Sequence, residues 1–168
     1  CEASAMSDTA APIASQTGRV FLVVVDDSPE MPLALRFACR RARHTGGRVA
    51  LLRVMDPVDF QHWNAVGELM RTEAREAAER LVQRLAAEVQ EQTGQTPVVY
   101  LREGDRAQIV LQVTAEEPAI SVLVLAASSG ADPGPIISFL AKRNFQRLRV
   151  PVTIIPGTLT PEQIDALA

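Results

Sequence analysis

Five short runs of aliphatic and β-branched residues recur along the chain, and stretches with a different periodicity separate them. Runs that are apolar on both faces, such as Val20–Val25 and Ile120–Ala126, are typical of parallel strands that helices cover on both sides. The pattern therefore predicts five strands, at Arg19–Val25, Arg48–Met55, Pro97–Leu101, Ile120–Ala126 and Val150–Ile155.

Apolar residues in the intervening stretches recur every three or four positions, which predicts amphipathic helices. We expect Ser28 to cap the first helix, with Pro29 in its first turn. Thr160–Gln163 is a capping box that begins a short C-terminal helix. The longest helix is predicted at about Glu68–Gln92, with a buried stripe made of Met70, Ala74, Ala77, Ala78, Leu81, Leu85 and Val89.

The regular alternation of strands and helices predicts an α/β protein with one five-stranded, parallel, doubly wound sheet in three layers, α/β/α. Residues 19–157 form the predicted domain, and residues 158–168 form the short C-terminal helix. Residues 1–18 are expected to lie outside the domain. There, Cys1–Ala5 are read as an addition before a native start at Met6, and Ser7–Gly18 as a disordered lead-in.

Composition excludes several classes of function. The net charge is −3 with acidic and basic residues mixed, which does not favour a nucleic-acid or membrane-surface binder. The longest apolar runs have about eight residues, too few to span a bilayer. The chain has two cysteines and no disulfide framework, so we expect a reduced, cytoplasmic protein. No P-loop, Gly-x-Ser-x-Gly elbow or metal-ligand motif is present, and we expect no enzymatic activity and no metal site.

An acidic turn, Asp26-Asp27-Ser28-Pro29, follows the first predicted strand. It lies where open α/β sheets bind their ligands. The turn resembles the start of response-regulator receiver domains, where paired carboxylates suit Mg²⁺. A receiver also needs an aspartate at the end of the third strand, and Tyr100–Glu103 contains none. Its lysine is missing too, because the only lysine, Lys142, falls in the fourth predicted helix. The receiver hypothesis is therefore rejected.

The chain resembles the universal stress protein family over about Arg19–Ile155. The similarity lies in four segments at matching spacing: Asp26-Asp27-Ser28, Leu52–Pro57, Gly104 with Ala107 and Ile109, and Val150–Ile155. The resemblance implies an adenine nucleotide alpha hydrolase-like fold and a homodimer paired through strand five. It also implies that Asp26 contacts a ribose or adenine edge and that the Val54 backbone contacts adenine. The residues allow two other roles in place of these ligand contacts. Asp26 would cap the first helix, and Val54 would pack in the core.

The phosphate loop departs from the pattern of ATP-binding family members, which is Gly-x2-Gly-x9-Gly-Ser/Thr. Counted from strand four, Ala126 and Ser129 stand at the first two glycine positions. Counted back from Pro151, Ser138 and Phe139 stand at the final pair. Asp132 adds a negative charge that we expect to repel phosphates. Small residues nevertheless remain at a predicted helix start, where backbone amides favour anions.

We therefore expect a homodimeric regulatory or protective stress-response module with weak or altered nucleotide binding. The alternative is a true adenine-nucleotide binder with a non-standard phosphate loop, its cofactor being AMP or ATP. The predicted nucleotide contacts are Asp26, Ser28, Val54, Ala126, Ser128, Ser129, Gly130 and Gly134. The predicted partner is a second copy of the chain, bound through Val150, Val152, Thr153, Ile154 and Ile155. Phe60, His62 and Trp63 form either a lid over the core or a contact for a ligand.

Overall fold

The sheet is five-stranded, and every neighbouring pair of strands is parallel, in the order β3-β2-β1-β4-β5. The computed structural model describes residues 18–57 and 64–168. The strands are β1 (Val20–Val24), β2 (Arg48–Met55), β3 (Val98–Glu103), β4 (Ile120–Ala127) and β5 (Val152–Pro156). The predicted bounds of β2 are correct, and the others differ by one or two residues at an end. The predicted fold class is confirmed.

Helices cover both faces of this sheet. They are α1 (Met31–Thr45), α2 (Asn64–Thr93), α3 (Arg106–Glu116), α4 (Pro135–Ala141) and α5 (Pro161–Leu167). Alternate residues of β1 face opposite layers, since Phe21 and Val23 pack with α1, α2 and α5 while Leu22 packs with α3 and α4. The core therefore consists of two apolar layers, one on each face of the sheet. Together they hold the carboxyl ends of the strands in fixed positions.

The turn between β1 and α1 differs from the predicted helix cap. The first helix begins at Met31, and its N-cap residue, Glu30, makes no side-chain capping bond. The Ser28 amide donates instead to Asp26 Oδ1 at 2.9 Å. A hydrogen bond from an aspartate side chain to the amide two residues ahead stabilises a turn. This turn at Asp26–Ser28 therefore precedes the first residue of the helix. The prediction that Ser28 caps α1 is wrong.

The long helix α2 extends past the sheet. Its second half is buried as predicted, through Ala78, Leu81, Leu85 and Val89. Predicted burial of its first half is wrong, because Met70 is 55% exposed and the nearby alanines are also exposed. The 30 residues of α2 extend about 45 Å, whereas a strand of eight residues, such as β2, covers about 26 Å. The hypothesis about Phe60, His62 and Trp63 lies outside the described residues.

The C-terminal helix α5 packs against α1. Its capping box is present: Thr160 Oγ1 accepts from the Gln163 amide at 3.2 Å, and Gln163 Oε1 accepts from the Thr160 amide at 2.9 Å. Ile164 is fully buried, and Asp165 accepts hydrogen bonds from both Arg36 and Arg40 of α1 at 2.6–3.0 Å. The helix is therefore a fixed part of the α1 layer.

Candidate functional site

A cavity of about 250 Å³ opens at the carboxyl ends of β1, β2 and β4. β1 is the point at which the strand order reverses, because β2 follows it in the chain while β4 pairs with its other edge. Helices that leave β1 and β4 cover opposite faces, and the gap between them is where open α/β sheets bind ligands.

Six of the eight predicted contact residues line this cavity, namely Asp26, Ser28, Val54, Ala126, Ser128 and Gly134. Ser129 and Gly130 are not part of its wall. Their amides turn to the loop itself and to α1: Gly130 N–H donates to Ser128 Oγ at 3.2 Å, and Ser129 N–H makes a long contact of 3.5 Å with Glu30 Oε1. The topology of the sheet therefore brings six of the predicted residues together at one cavity. Their contact with a ligand stays a prediction.

Asp26 lines the cavity while one of its oxygens closes the β1–α1 turn. Because the helix starts at Met31, Asp26 does not cap it. Of the two roles considered for Asp26, the capping role is wrong. The turn bond fixes the carboxylate at the cavity wall, which suits a group that accepts a hydrogen bond from a ligand.

The loop before α4 is bonded internally. Asp132 Oδ1 accepts from the Gly134 amide and from Ser138 Oγ, both at 3.0 Å. These two bonds, with a smaller contribution from the charge of Lys142, hold the pKa of Asp132 below its usual value. Gly134 has φ +116°, a conformation that favours glycine. Two donors near the start of α4 are thus already bound to a carboxylate of the chain.

Phe139 lies on α4, at the position where the sequence pattern predicts a hydroxyl in an ATP-binding member. Its ring packs against the apolar layer that α3 and α4 share, and the Arg147 guanidinium lies 5.9 Å from the ring centroid. The phenyl ring offers no hydrogen bond to a phosphate. This position therefore contributes to packing rather than to a phosphate site.

Two arginines in the cavity wall, Arg53 and Arg106, were missed from the sequence. Arg53 comes from the end of β2, and Arg106 from the first turn of α3. The Arg53 side chain is only 18% exposed, and its Nε is buried without a hydrogen-bond partner among the residues that the structure describes. An unsatisfied buried donor costs about 1–3 kcal/mol. The available signal was an arginine inside an otherwise apolar run, Val49–Met55, close to its carboxyl end.

Both arginines also bind aspartates at the rim. Arg53 Nη2 lies 3.2 Å from Asp27 Oδ2, and Arg106 Nη2 lies 3.1 Å from Asp56 Oδ2. Within the cavity wall, Arg53 and Arg106 balance the carboxylates of Asp26 and Glu30. The cavity is thus a mixed site with both charges, on a largely apolar floor that includes Leu125 and Ile136.

Comparison with known proteins settles the family. The model of the universal stress protein family matches residues 18–156. The chain belongs to the universal stress protein family. A universal stress protein from Lactobacillus plantarum has a similar structure, with a TM-score of 0.65 and 21% sequence identity over 82% of this chain and 97% of that one.

Two further universal stress protein structures contain a nucleotide. One, from Archaeoglobus fulgidus, is a complex with dAMP, with a TM-score of 0.57 and 17% identity over 82% of this chain and 97% of that one. The other, from Arabidopsis thaliana, has AMP bound, with a TM-score of 0.57 and 17% identity over 82% of this chain and 91% of that one. No curated protein sequence matches the chain. None of the helices that the structure describes is long and apolar enough to cross a membrane.

Proposed function

We propose that this universal stress protein is a non-enzymatic, homodimeric regulatory or protective module that binds a small adenine compound and binds ATP weakly. The observation that carries the proposal is the cavity at the ends of β1, β2 and β4. In the loop beside this cavity, the Gly134 amide already donates to the Asp132 carboxylate. Family members that hold AMP and dAMP support a ligand with at most one phosphate.

Weak ATP binding follows from the bonds of Asp132. Backbone amides and hydroxyls of this loop are the donors that a phosphate chain could use, and the carboxylate of Asp132 already accepts from the Gly134 amide and the Ser138 hydroxyl. The Asp132 carboxylate is charged at neutral pH, as an aspartate is even without a lowered pKa, and it repels phosphate. AMP and adenosine bring less charge to this loop than ATP does.

The absence of enzymatic activity is proposed from the groups at the cavity. Its wall, among the described residues, holds two hydroxyls, those of Ser28 and Ser128, and no histidine or cysteine. A nucleophilic hydroxyl needs an adjacent base that takes its proton. The Asp26 carboxylate accepts from the Ser28 amide, and the Ser128 hydroxyl accepts from the Gly130 amide. These bonds favour a binding site over a catalytic one.

Dimerisation is proposed from the open edge of the sheet. Among the described residues, β5 pairs with β4 alone, and Ile154 of β5 is 38% exposed. An apolar edge strand exposes free amides and carbonyls, and a second copy satisfies both across a two-fold axis. The C-terminal segment is the competing cover for the β5 edge. Its helix α5 is instead fixed to α1 by Ile164 and Asp165.

Isothermal calorimetry with ATP, AMP and adenosine tests the choice of ligand. We expect a Kd for ATP weaker than about 100 µM in the presence of Mg²⁺, with tighter binding of AMP and adenosine. Low-micromolar binding of ATP would overturn the proposed preference and support the alternative, an adenine-nucleotide binder with a non-standard loop. If no adenine compound binds at millimolar concentration, the nucleotide part of the proposal is wrong.

A further inference from the structure

Arg53 has a polar group for which the fold provides no partner. Its side chain lines the cavity and is largely buried, and its Nε finds no hydrogen-bond acceptor among the described residues. Arg53 Nη2 bonds Asp27, and the guanidinium has further N–H donors that an acceptor in the cavity can use. Guanidinium groups are especially suited to carboxylates and phosphates.

The present partners of the two arginines are easily replaced. Asp27, bound to Arg53, has a side chain that is 79% exposed, and Asp56, bound to Arg106, is 72% exposed. Ion pairs with such exposed carboxylates contribute little to stability, because water competes for both charges. An anion inside the cavity would meet the two guanidinium groups of its wall, where a charge-assisted hydrogen bond is stronger than in open solvent.

The carboxylates in the wall between β1 and α1 would repel an anion. Glu30 and Asp26 place two carboxylates in the wall beside α1, and Asp132 bonds the donors of the α4 loop. The positive charges in the wall come from β2 and α3 instead. The arginines of the wall thus stand on β2 and α3, each beside an exposed aspartate, while the carboxylates of the wall, Asp26 and Glu30, stand between β1 and α1.

We propose that Arg53 and Arg106 form the anion-binding end of this cavity, which takes the single anionic group of a compact ligand. The group is a phosphate monoester or a carboxylate, and the apolar floor at Val54, Leu125 and Ile136 takes the body of the ligand. This inference deepens the proposed function, on which it rests for the choice of cavity. The phosphate of a bound nucleoside monophosphate would then lie at the arginines and not at the loop before α4.

Nuclear magnetic resonance of the guanidinium Nε–H groups observes this site directly. The Arg53 signal is assigned by its loss in Arg53→Gln, and the full chain is titrated with inorganic phosphate, acetate, AMP and adenosine. We expect phosphate or acetate, and AMP, to shift the Arg53 Nε–H signal, and adenosine to leave it in place. A larger response to phosphate than to acetate identifies a phosphate monoester as the preferred group, and the reverse identifies a carboxylate.

Calorimetry of variants provides the second measurement. Arg53→Gln and Arg106→Gln should each weaken AMP binding by about tenfold or more, since a hydrogen bond to a charged group is lost, and should change adenosine binding less than twofold. Arg75→Gln is the matched control, because Arg75 pairs with Glu79 on the outer face of α2 and should leave both affinities unchanged. If Arg53→Gln does not fold, the Arg53 Nε–H signal is assigned by through-bond correlation with its own backbone amide, and the titration of the unmodified protein decides the question.

The outcomes separate this inference from the proposed function. If AMP and adenosine shift the backbone amides of Asp26 and Val54 while the Arg53 Nε–H signal stays still, nucleotide binding stands and the anion site is wrong. If phosphate or acetate moves the Arg53 signal but no adenine compound binds, the anion site stands and the choice of adenine is wrong. If none of the four probes moves the Arg53 signal, the inference is overturned.

Discussion

Asp132 shows how a single residue bears on the proposed choice of ligand. Its carboxylate accepts from the Gly134 amide and from the Ser138 hydroxyl beside the start of α4. The chain thus provides its own anion to this loop. A family motif read from the sequence shows that glycines are missing, but it does not show that the remaining donors are already bonded.

Neutralising Asp132 should restore part of the affinity for ATP. We expect Asp132→Asn to tighten ATP binding by about tenfold, because the repulsion of phosphates is removed, while the asparagine Oδ1 still accepts from Gly134 and Ser138. Adenosine binding should not change. Calorimetry at low salt measures both affinities, and Glu91→Gln on the exposed face of α2 controls for the change in net charge. Equal ATP affinity in Asp132→Asn and the parent protein would contradict the role given to Asp132.

For single residues, the sequence predicted which of them lie at the cavity better than it predicted which groups they contact. Asp26, Val54 and Ala126 lie at the ends of three apolar runs, and parallel topology brings such ends together at one edge. Arg53 was missed because its part in the cavity depends on the side-chain direction in β2 and on the position of α3. Neither of these follows from periodicity along the chain.

At the scale of elements, α5 is held by a cluster of charges on α1. Arg36 and Arg40 both donate to Asp165, and the bonds from Arg36 are the main reason that the pKa of Asp165 falls to about 2. A carboxyl group with a depressed pKa in the folded state stabilises the fold above its unfolded pKa. That contribution is lost as the pH falls through the folded value.

Asp165→Asn should therefore destabilise the protein in a pH-dependent way. We expect the difference in the free energy of unfolding from the parent to be fully present above about pH 5. It should shrink as the pH falls below about 4 and vanish near the Asp165 pKa of about 2. Urea titrations at several pH values measure the difference, with Glu116→Gln on α3 as a control outside the cluster. A difference that stays constant down to pH 2 would contradict the proposed ion cluster.

The elements themselves were largely predictable where a local rule governs them. The capping box at Thr160 and Gln163 is a sequence rule with a local cause, and it is confirmed. The burial along α2 was not predictable, because Met70 has the right spacing for the apolar stripe but lies beyond the sheet that would bury it. Periodicity shows which face of a helix is apolar, and only tertiary structure shows how far the neighbouring layer extends.

At the scale of the whole molecule, the sheet has two open edges of unequal character among the described residues. The β3 edge is formed by Val98–Glu103, which includes Arg102 and Glu103, and charged side chains discourage edge pairing. The β5 edge runs between Pro151 and Pro156 and presents Val152–Ile155 without a charge. The β5 edge is therefore the better surface for a second copy.

Light scattering at tens of micromolar tests the proposed dimer. We expect about twice the chain mass of 18.2 kDa for the parent protein. Ile154→Lys should give a single chain mass or an insoluble protein, since a buried lysine at the two-fold contact is strongly unfavourable. Val99→Lys on the opposite edge is the matched control, because Val99 is 41% exposed and Ile154 is 38% exposed. A monomeric parent protein would refute dimerisation through β5.

The overall topology was predictable because five apolar runs alternating with helical periodicity leave few arrangements of a parallel sheet. Right-handed crossovers and helices on both faces fix the rest. Pairing with a second copy depends on a surface that involves a partner chain, so the sequence indicates the edge but not its occupant. The same limit applies to the ligand of the cavity.

Cys39 lies in the α1 layer, where it is fully buried, and burial raises the pKa of its thiol to about 12. Oxidants attack the thiolate, and at pH 7 a thiol with that pKa is ionised in about one molecule in 100,000. Peroxide that oxidises exposed cysteines elsewhere in a cell would therefore leave this one reduced. We therefore do not expect oxidation of this thiol to disturb the packing of the α1 layer, which joins the cavity to the C-terminal helix.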